Sequence, residues 1–393
     1  MNTVTSKDKS GSKRPYLDFY EQHGISPVVN TFEKEKHFSQ RRSLYQTLGI
    51  VPLLMEGKTV LEFGPGNGVN SLYTMSLNPK TYTLVDGNDT GLANIKRNFS
   101  QHYPESNKYH VVKSTIEGFK SEDQYDLVVC EGVIPNQLDP SSFSRHIASF
   151  VKPGGIYILT CHDIISNLSE VLRAFIGSYL VRNVTDFNEK VTRLVSYFSS
   201  HFKHLTNMSR TPEDWVVDNI LNVEYWKDSS LFSVEEAISA HQHDMDVYGS
   251  SPSFCTDWRW YKDMYLDGGK KNEMAMRQYR SLAHNLLDTR LEPSERPQEK
   301  NEMLRKACTE LKEKIKRYEE TKSQDDLFEV YRAIEIVRNY VVEFSPMTST
   351  AIEACLSIIK CQMDGGHVYD DKGEFESWWG RGMQYMSFIK RSV

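Results

Sequence analysis

Between Lys58 and Thr160 five short apolar runs, KTVLEFG, TYTLVDG, YHVVKS, YDLVVCEG and GGIYILTCHD, alternate with stretches of helical spacing. Strand and helix alternating in this way predict βαβ units and a parallel sheet with buried strands. Ahead of them, FSQRRSLYQTLGIVPLL sets Phe38, Leu44, Tyr45 and Leu48 at helical spacing and stops at Gly49, with Pro52 soon after. That stretch reads as a lead-in helix.

Beyond the fifth run the period changes. DIISNLSEVLRAFIGSYLV and DFNEKVTRLVSYFSSHFKHL are amphipathic, the second placing Phe187, Val191, Leu194, Phe198, Phe202 and Leu205 on one face. TPEDWVVDNILN starts another helix, with Thr211 as cap and Pro212 at the first helical position. The sheet pattern returns in FSVEEAISAHQHDMDVYGSSP, where Ser233 and Glu236 fit a capping box and MDVYGS fits a strand. A second helical block runs from about Asp257 to Met363, and MQYMSFI closes the chain as a last strand. The expected organisation is a disordered tail at 1–14, a lead-in at 15–57 and a core at 58–163. It continues with an insertion at 164–230, a return to the core at 231–256, a second insertion at 257–373 and a final core strand at 374–393.

Composition narrows the function class. With 25% charged and 39% hydrophobic residues, the chain of 393 reads as globular with a substantial core. A net charge of −6 offers no global basic field, so nucleic acid is not the expected partner and a small-molecule substrate is. Cys130, Cys161, Cys255, Cys308, Cys355 and Cys361 form no C-x-x-C pair and read as reduced thiols. MNTVTSKDKSGSKRPY lacks the apolar core of a signal peptide, and no run approaches the ~18–20 apolar residues that span a bilayer, so a cytoplasmic protein is expected.

The chemistry concentrates in VLEFGPGNGVNSLYT, where three glycines follow the first strand at alternate positions. A strand, a glycine-rich turn and a helix present bare backbone N–H groups to a nucleotide-like ligand. A phosphate loop of the G-x-x-x-x-G-K-[ST] type is excluded, because Val69 stands five positions after Gly64 and no lysine is near. A dinucleotide loop fits poorly, because Val69 also occupies the place of its third glycine. The pattern is Glu62-x-Gly64-x-Gly66-x-Gly68, and an acid two residues ahead of the turn repels a pyrophosphate but attracts a cation such as a sulfonium or an ammonium.

This turn resembles the first motif of the class I S-adenosylmethionine-dependent methyltransferases, and the resemblance extends from Lys58 to about Thr160. It implies an α/β, Rossmann-like fold whose mostly parallel sheet ends in an antiparallel last strand, here with large helical insertions. It implies S-adenosyl-L-methionine as cofactor, S-adenosyl-L-homocysteine as product, and Asp86 as acceptor for the ribose hydroxyls. Ser114, Thr115 and Ile116 would flank the adenine, and Glu131, after Cys130, would stand at the mouth of the pocket. RRSLYQTLGI, PEDWVVDNILN, SSPSFCTDWRWYKD and WWGRGMQYMSFIKR further resemble bacterial methyltransferases of surface-polysaccharide loci, which would imply a glycan-type acceptor.

His162 and Asp163, leaving the fifth strand in TCHD, are the candidates for substrate binding or proton removal. The bland alternative is a histidine bonded to backbone and an aspartate capping the next helix. His241 and His243, with Asp244 and Asp246, more simply straddle a helix end and a strand than hold a metal. The aromatic stretches TDWRWYKDMY and ESWWGRG could stack on a sugar, but anchoring of the inserted helices is the simpler reading. Arg41 and Arg42 lie where some family members contact the cofactor carboxylate; as helix arginines they are expected to be exposed. Two competing readings are a non-catalytic cofactor-binding scaffold and a nicotinamide-dependent enzyme, and the glycine spacing speaks against the second.

Overall fold

The computed structural model describes residues 19, 23, 33–205, 208, 210–222, 231–264, 269–364 and 373–392. The tail expected at 1–14 lies outside them. Seven strands build one sheet: β1 (Thr59–Phe63), β2 (Thr81–Asp86), β3 (Tyr109–Lys113), β4 (Tyr125–Cys130), β5 (Val151–Cys161), β6 (Met245–Ser251) and β7 (Gln384–Lys390). Their order is β3-β2-β1-β4-β5-β7-β6. All pairs from β3 to β5 are parallel, while β7 runs antiparallel between β5 and β6. The order reverses between β1 and β4, and in open α/β sheets ligands bind outside the strand ends at such a point.

Twelve α-helices flank the sheet among the described residues: α1 (Lys34–Thr47), α2 (Val69–Ser76), α3 (Asp89–His102), α4 (Pro140–Ala148), α5 (Ile164–Leu180), α6 (Phe187–Phe202), α7 (Pro212–Val216), α8 (Val234–His241), α9 (Lys270–Leu282), α10 (Gln298–Thr321), α11 (Gln324–Val341) and α12 (Pro346–Met363). Successive strand residues point to opposite faces, so Val60 joins the core beneath α1, α2 and α3, while Leu61 and Phe63 join the other. That second core runs without a break from the sheet into α5, α6 and α8 to α12. Both helical insertions therefore share a core with the sheet.

Local chemistry sets the element boundaries. Thr211 caps α7 with Pro212 at its first position, and Ser233 with Glu236 forms the capping box of α8. The KPGG segment is absorbed into β5, where the pairing register shifts and Gly154 adopts φ +75°. The open edge of β6 is closed by a side chain: Asn272 of α9 accepts the Val247 N–H at 2.8 Å and donates to the Met245 carbonyl at 2.9 Å.

Of the two aromatic stretches, ESWWGRG anchors the insertion. The buried guanidinium of Arg173 in α5 lies 3.7 Å from the Trp379 ring and donates to His201 of α6 and to the Phe375 carbonyl. Trp378 is fully buried and donates its indole N–H to the Leu287 carbonyl at 2.8 Å. TDWRWYKDMY does not act as an anchor: Trp258, Trp260 and Tyr261 are 90%, 59% and 69% exposed, in the loop after β6. No helix among the described residues is long and apolar enough to cross a membrane.

Replacing Asn272 by alanine leaves a buried N–H and a buried C=O of β6 without partners. The expected loss is about 2 kcal/mol of unfolding free energy. A urea midpoint lowered at constant m-value would show it, and an unchanged midpoint would mean that water replaces the amide.

Candidate active site

The glycine turn requires backbone conformations that side chains rarely adopt. Gly64, Gly66 and Gly68 have φ of +66°, +59° and +78°. Gly64 is also hemmed in, since a Cβ there would stand 2.5 Å from a methyl of Val133 in the loop after β4. Gly68 starts α2, so the turn delivers the N-terminus of that helix to the strand ends.

Asp86 closes the other side of the turn. Its carboxylate accepts the Asn88 N–H at 2.8 Å, and the N–H groups of Gly66 and Gly87 also bond to it. Burial raises its pKa from the usual value, while these three donors pull in the opposite direction. The acid thus fastens the glycine turn to β2.

Glu62 lies in β1 two residues before Gly64, and Glu131 directly follows β4, the strand beside it. Glu131 receives both arms of the Arg41 guanidinium, at 2.6 and 2.9 Å, with Asn70 of α2 at 3.4 Å. Arg41 is only 6% exposed, which corrects the expectation of an exposed helix arginine; Arg42, one step round the helix, is exposed. Arg41 shares a face with Phe38, Tyr45 and Leu48, at i+3, i+7 and i+10 from Phe38, so the spacing carried the signal that residue type hid. The Tyr45 ring lies 5.2 Å from the guanidinium, and the Tyr385 side chain of β7 also bonds to it.

Glu62 is buried and accepts a hydrogen bond from the Tyr82 hydroxyl of β2. Burial, with the charge of Glu131 adding to it, pushes its pKa up to about 7; Tyr82, Ser71 and Arg41 act against the shift. The loop between the two carboxylates and the glycine turn is pinned from β5, where the Thr160 hydroxyl accepts the Gly132 N–H at 2.7 Å.

The residues expected to flank an adenine have local partners. Ser114 donates its hydroxyl to the Thr115 carbonyl at 2.8 Å, and the Thr115 hydroxyl accepts the Gly118 N–H at 3.1 Å. Ile116 lies at the edge of the core, and its carbonyl meets His146 at 3.3 Å. The segment therefore forms a turn beside Asp86, whose carbonyl accepts the Ser114 N–H.

The structure does not bring His162 and Asp163 to an open surface, and here the catalytic expectation gives way to the structural one. Asp163 is fully buried: it caps α5 through the Ile165 N–H at 2.8 Å, accepts from the Tyr279 hydroxyl and pairs with Arg305 at 3.4 Å. His162 is 4% exposed and held through its backbone to Phe232. Burial lowers its pKa to about 4, which leaves the ring neutral at pH 7. The H-x-H-D cluster divides in the same way: His241 is buried against Ser144 at 2.8 Å, His243 is exposed, and Asp246 pairs with Arg391.

Residues 36–205 match the family described as a methyltransferase domain. This part of the chain is a methyltransferase domain. The domain is 29% identical over 107 residues to the ubiquinone biosynthesis O-methyltransferase of Hydrogenovibrio crunogenus, covering 26% of this chain and 41% of that protein. It is 30% identical over 125 residues to the enzyme of the same name from Vibrio vulnificus, covering 31% and 50%. The chain thus spans half or less of the length of these two relatives. Among solved structures it is similar to the CcbJ methyltransferase from Streptomyces caelestis, at 15% identity and a TM-score of 0.31, covering 40% of this chain and 61% of that one.

Arg41→Met leaves Glu131 buried without a counter-charge and should cost the methyltransferase domain about 3–5 kcal/mol. Adding Glu131→Gln should recover most of that loss in a double-mutant cycle. Losses that simply add would show that the two side chains act independently.

Proposed function

We propose that the chain transfers a methyl group from S-adenosylmethionine to an oxygen or nitrogen of a small-molecule or carbohydrate-like acceptor. One observation carries the reading: a left-handed three-glycine turn is fastened to a strand-end aspartate, with the buried Glu62 two residues before it and the mostly buried Glu131 directly after β4. A cofactor with vicinal hydroxyls and a positive charge matches that set of groups. Gly64, Gly66 and Gly68 would line its path, and Asp86 would accept from its ribose. Ser114 to Ile116 would border the base, and Glu62 and Glu131 would supply negative potential.

Bound S-adenosylmethionine supplies an electrophilic methyl group on a sulfonium, and the remaining work falls to the chain. The strand ends must orient the acceptor in line with that methyl and exclude water. The relatives' printed name, O-methyltransferase, favours an oxygen acceptor over nitrogen. A carbohydrate acceptor draws support from the exposed Trp258, Trp260 and Tyr261, whose flat rings suit the faces of a sugar. Labelled cofactor offered with phenolic, nucleotide-sugar and glycan-intermediate acceptors separates these classes, and binding without turnover on any of them would favour the scaffold reading.

Asp86→Ala should weaken S-adenosylhomocysteine binding by about 10- to 100-fold, because charge-assisted hydrogen bonds lose their acceptor. Unchanged affinity in a folded variant would remove Asp86 from the site. Tight binding of NAD(H) with no response to S-adenosylhomocysteine would overturn the reading as a whole.

A further inference from the structure

The ends of β1 and β4 hold an uneven set of charges. Glu62 is a buried acid and Glu131 a mostly buried one, and the buried base Arg41 pairs with Glu131. Arg41 spends both arms on Glu131, so the hydrogen bond that Glu62 receives comes from a neutral group, the Tyr82 hydroxyl. The other titratable groups facing Glu62 are Tyr45 of α1 and Cys130 of β4, and burial raises the pKa of both, so neither is charged at neutral pH. Tyr385 of β7 faces Arg41 and Glu131, and burial raises it as well. A second full negative charge here would be buried without a counter-ion, which is costly unless a proton or a cationic ligand balances it.

Resting on the reading of this site as an S-adenosylmethionine pocket, we infer that Glu62 sheds a proton to solvent when the sulfonium binds, and so makes the site prefer the charged methyl donor over its neutral thioether product. The two compounds share adenine, ribose and amino-acid groups, so contacts to those parts cancel in the ratio of affinities. What remains is one positive charge. Glu62 stands two residues before Gly64 and, once ionised, is the acid that Arg41 leaves unpaired. The preference for donor over product then grows with pH, because the cation no longer has to displace a proton.

Titration calorimetry on the full chain tests this, with S-adenosylmethionine and S-adenosylhomocysteine at pH 6, 7 and 8, each in two buffers of different ionisation enthalpy. With Glu62 titrating at about 7 in the free protein, about half a proton should leave per sulfonium bound at pH 7. The affinity ratio of donor to product should rise roughly tenfold from pH 6 to pH 8. Glu62→Gln keeps an acceptor for the Tyr82 hydroxyl and should abolish both effects relative to wild type; the amino group of the ligand titrates alike in both proteins and cancels in the comparison. Tyr82→Phe removes a donor that holds Glu62 ionised and should move the proton release to higher pH, which keeps the test available if Glu62→Gln does not fold. The inference is overturned by a pH-independent ratio in the wild type, by equal proton release with both ligands, by wild-type behaviour in Glu62→Gln, or by an unmoved midpoint in Tyr82→Phe. Failure of the folded wild type to bind either compound overturns the reading of the site and the inference with it.

Discussion

An arginine cannot give up its proton at any ordinary pH, so a fold that buries one must bring it a partner. Arg41 imposes that requirement on the strand ends. Glu131 has to arrive from β4 with both oxygens free, Asn70 from the first turn of α2, and Tyr385 from β7. Thr160 fixes the loop that carries Glu131. Three strands and two helices are thereby linked, directly or through Glu131 and its loop, to a single guanidinium at the point where the strand order reverses.

The glycine turn sits on this frame. Left-handed φ at three alternate residues needs glycine, and the backbone N–H groups it bares need an acceptor, part of which Asp86 provides. Asp86 therefore has a structural task, and in the proposed reading a ligand-facing one besides, so that a change there would be felt on both sides. Glu62 differs in kind. Its partner is a hydroxyl, and its charge is the quantity that a cationic ligand can alter.

Much of this was legible in the sequence, and for physical reasons. Short apolar runs marked all seven strands, and capping residues such as Thr211 and Ser233 mark helix starts through bonds made within one turn. The glycines at 64, 66 and 68 declare themselves because no other residue tolerates such φ values easily. Long-range pairing was not legible. Nothing local says that Asp163 meets Tyr279 and Arg305, more than a hundred residues away, so a strand-end acid looked free to do chemistry. Arg41 was misjudged for the opposite reason: its position on an apolar face outweighs its charge, and only the tertiary partner 90 residues on makes that affordable. The exposed Trp258 shows that aromatic character alone does not imply burial.

One feature of the sheet bears on how the molecule comes into being. β7 is the last strand among the described residues, yet it lies between β5 and β6, paired through six residues to each. Until residues 384–390 have left the ribosome, β5 and β6 have no common neighbour and Arg41 lacks Tyr385. Contacts of such sequence separation form late, because the intervening chain must be closed into a loop first. A nascent chain can thus make its glycine turn early in synthesis, but the cluster around Arg41 is completed only once residues 384–390 have been made.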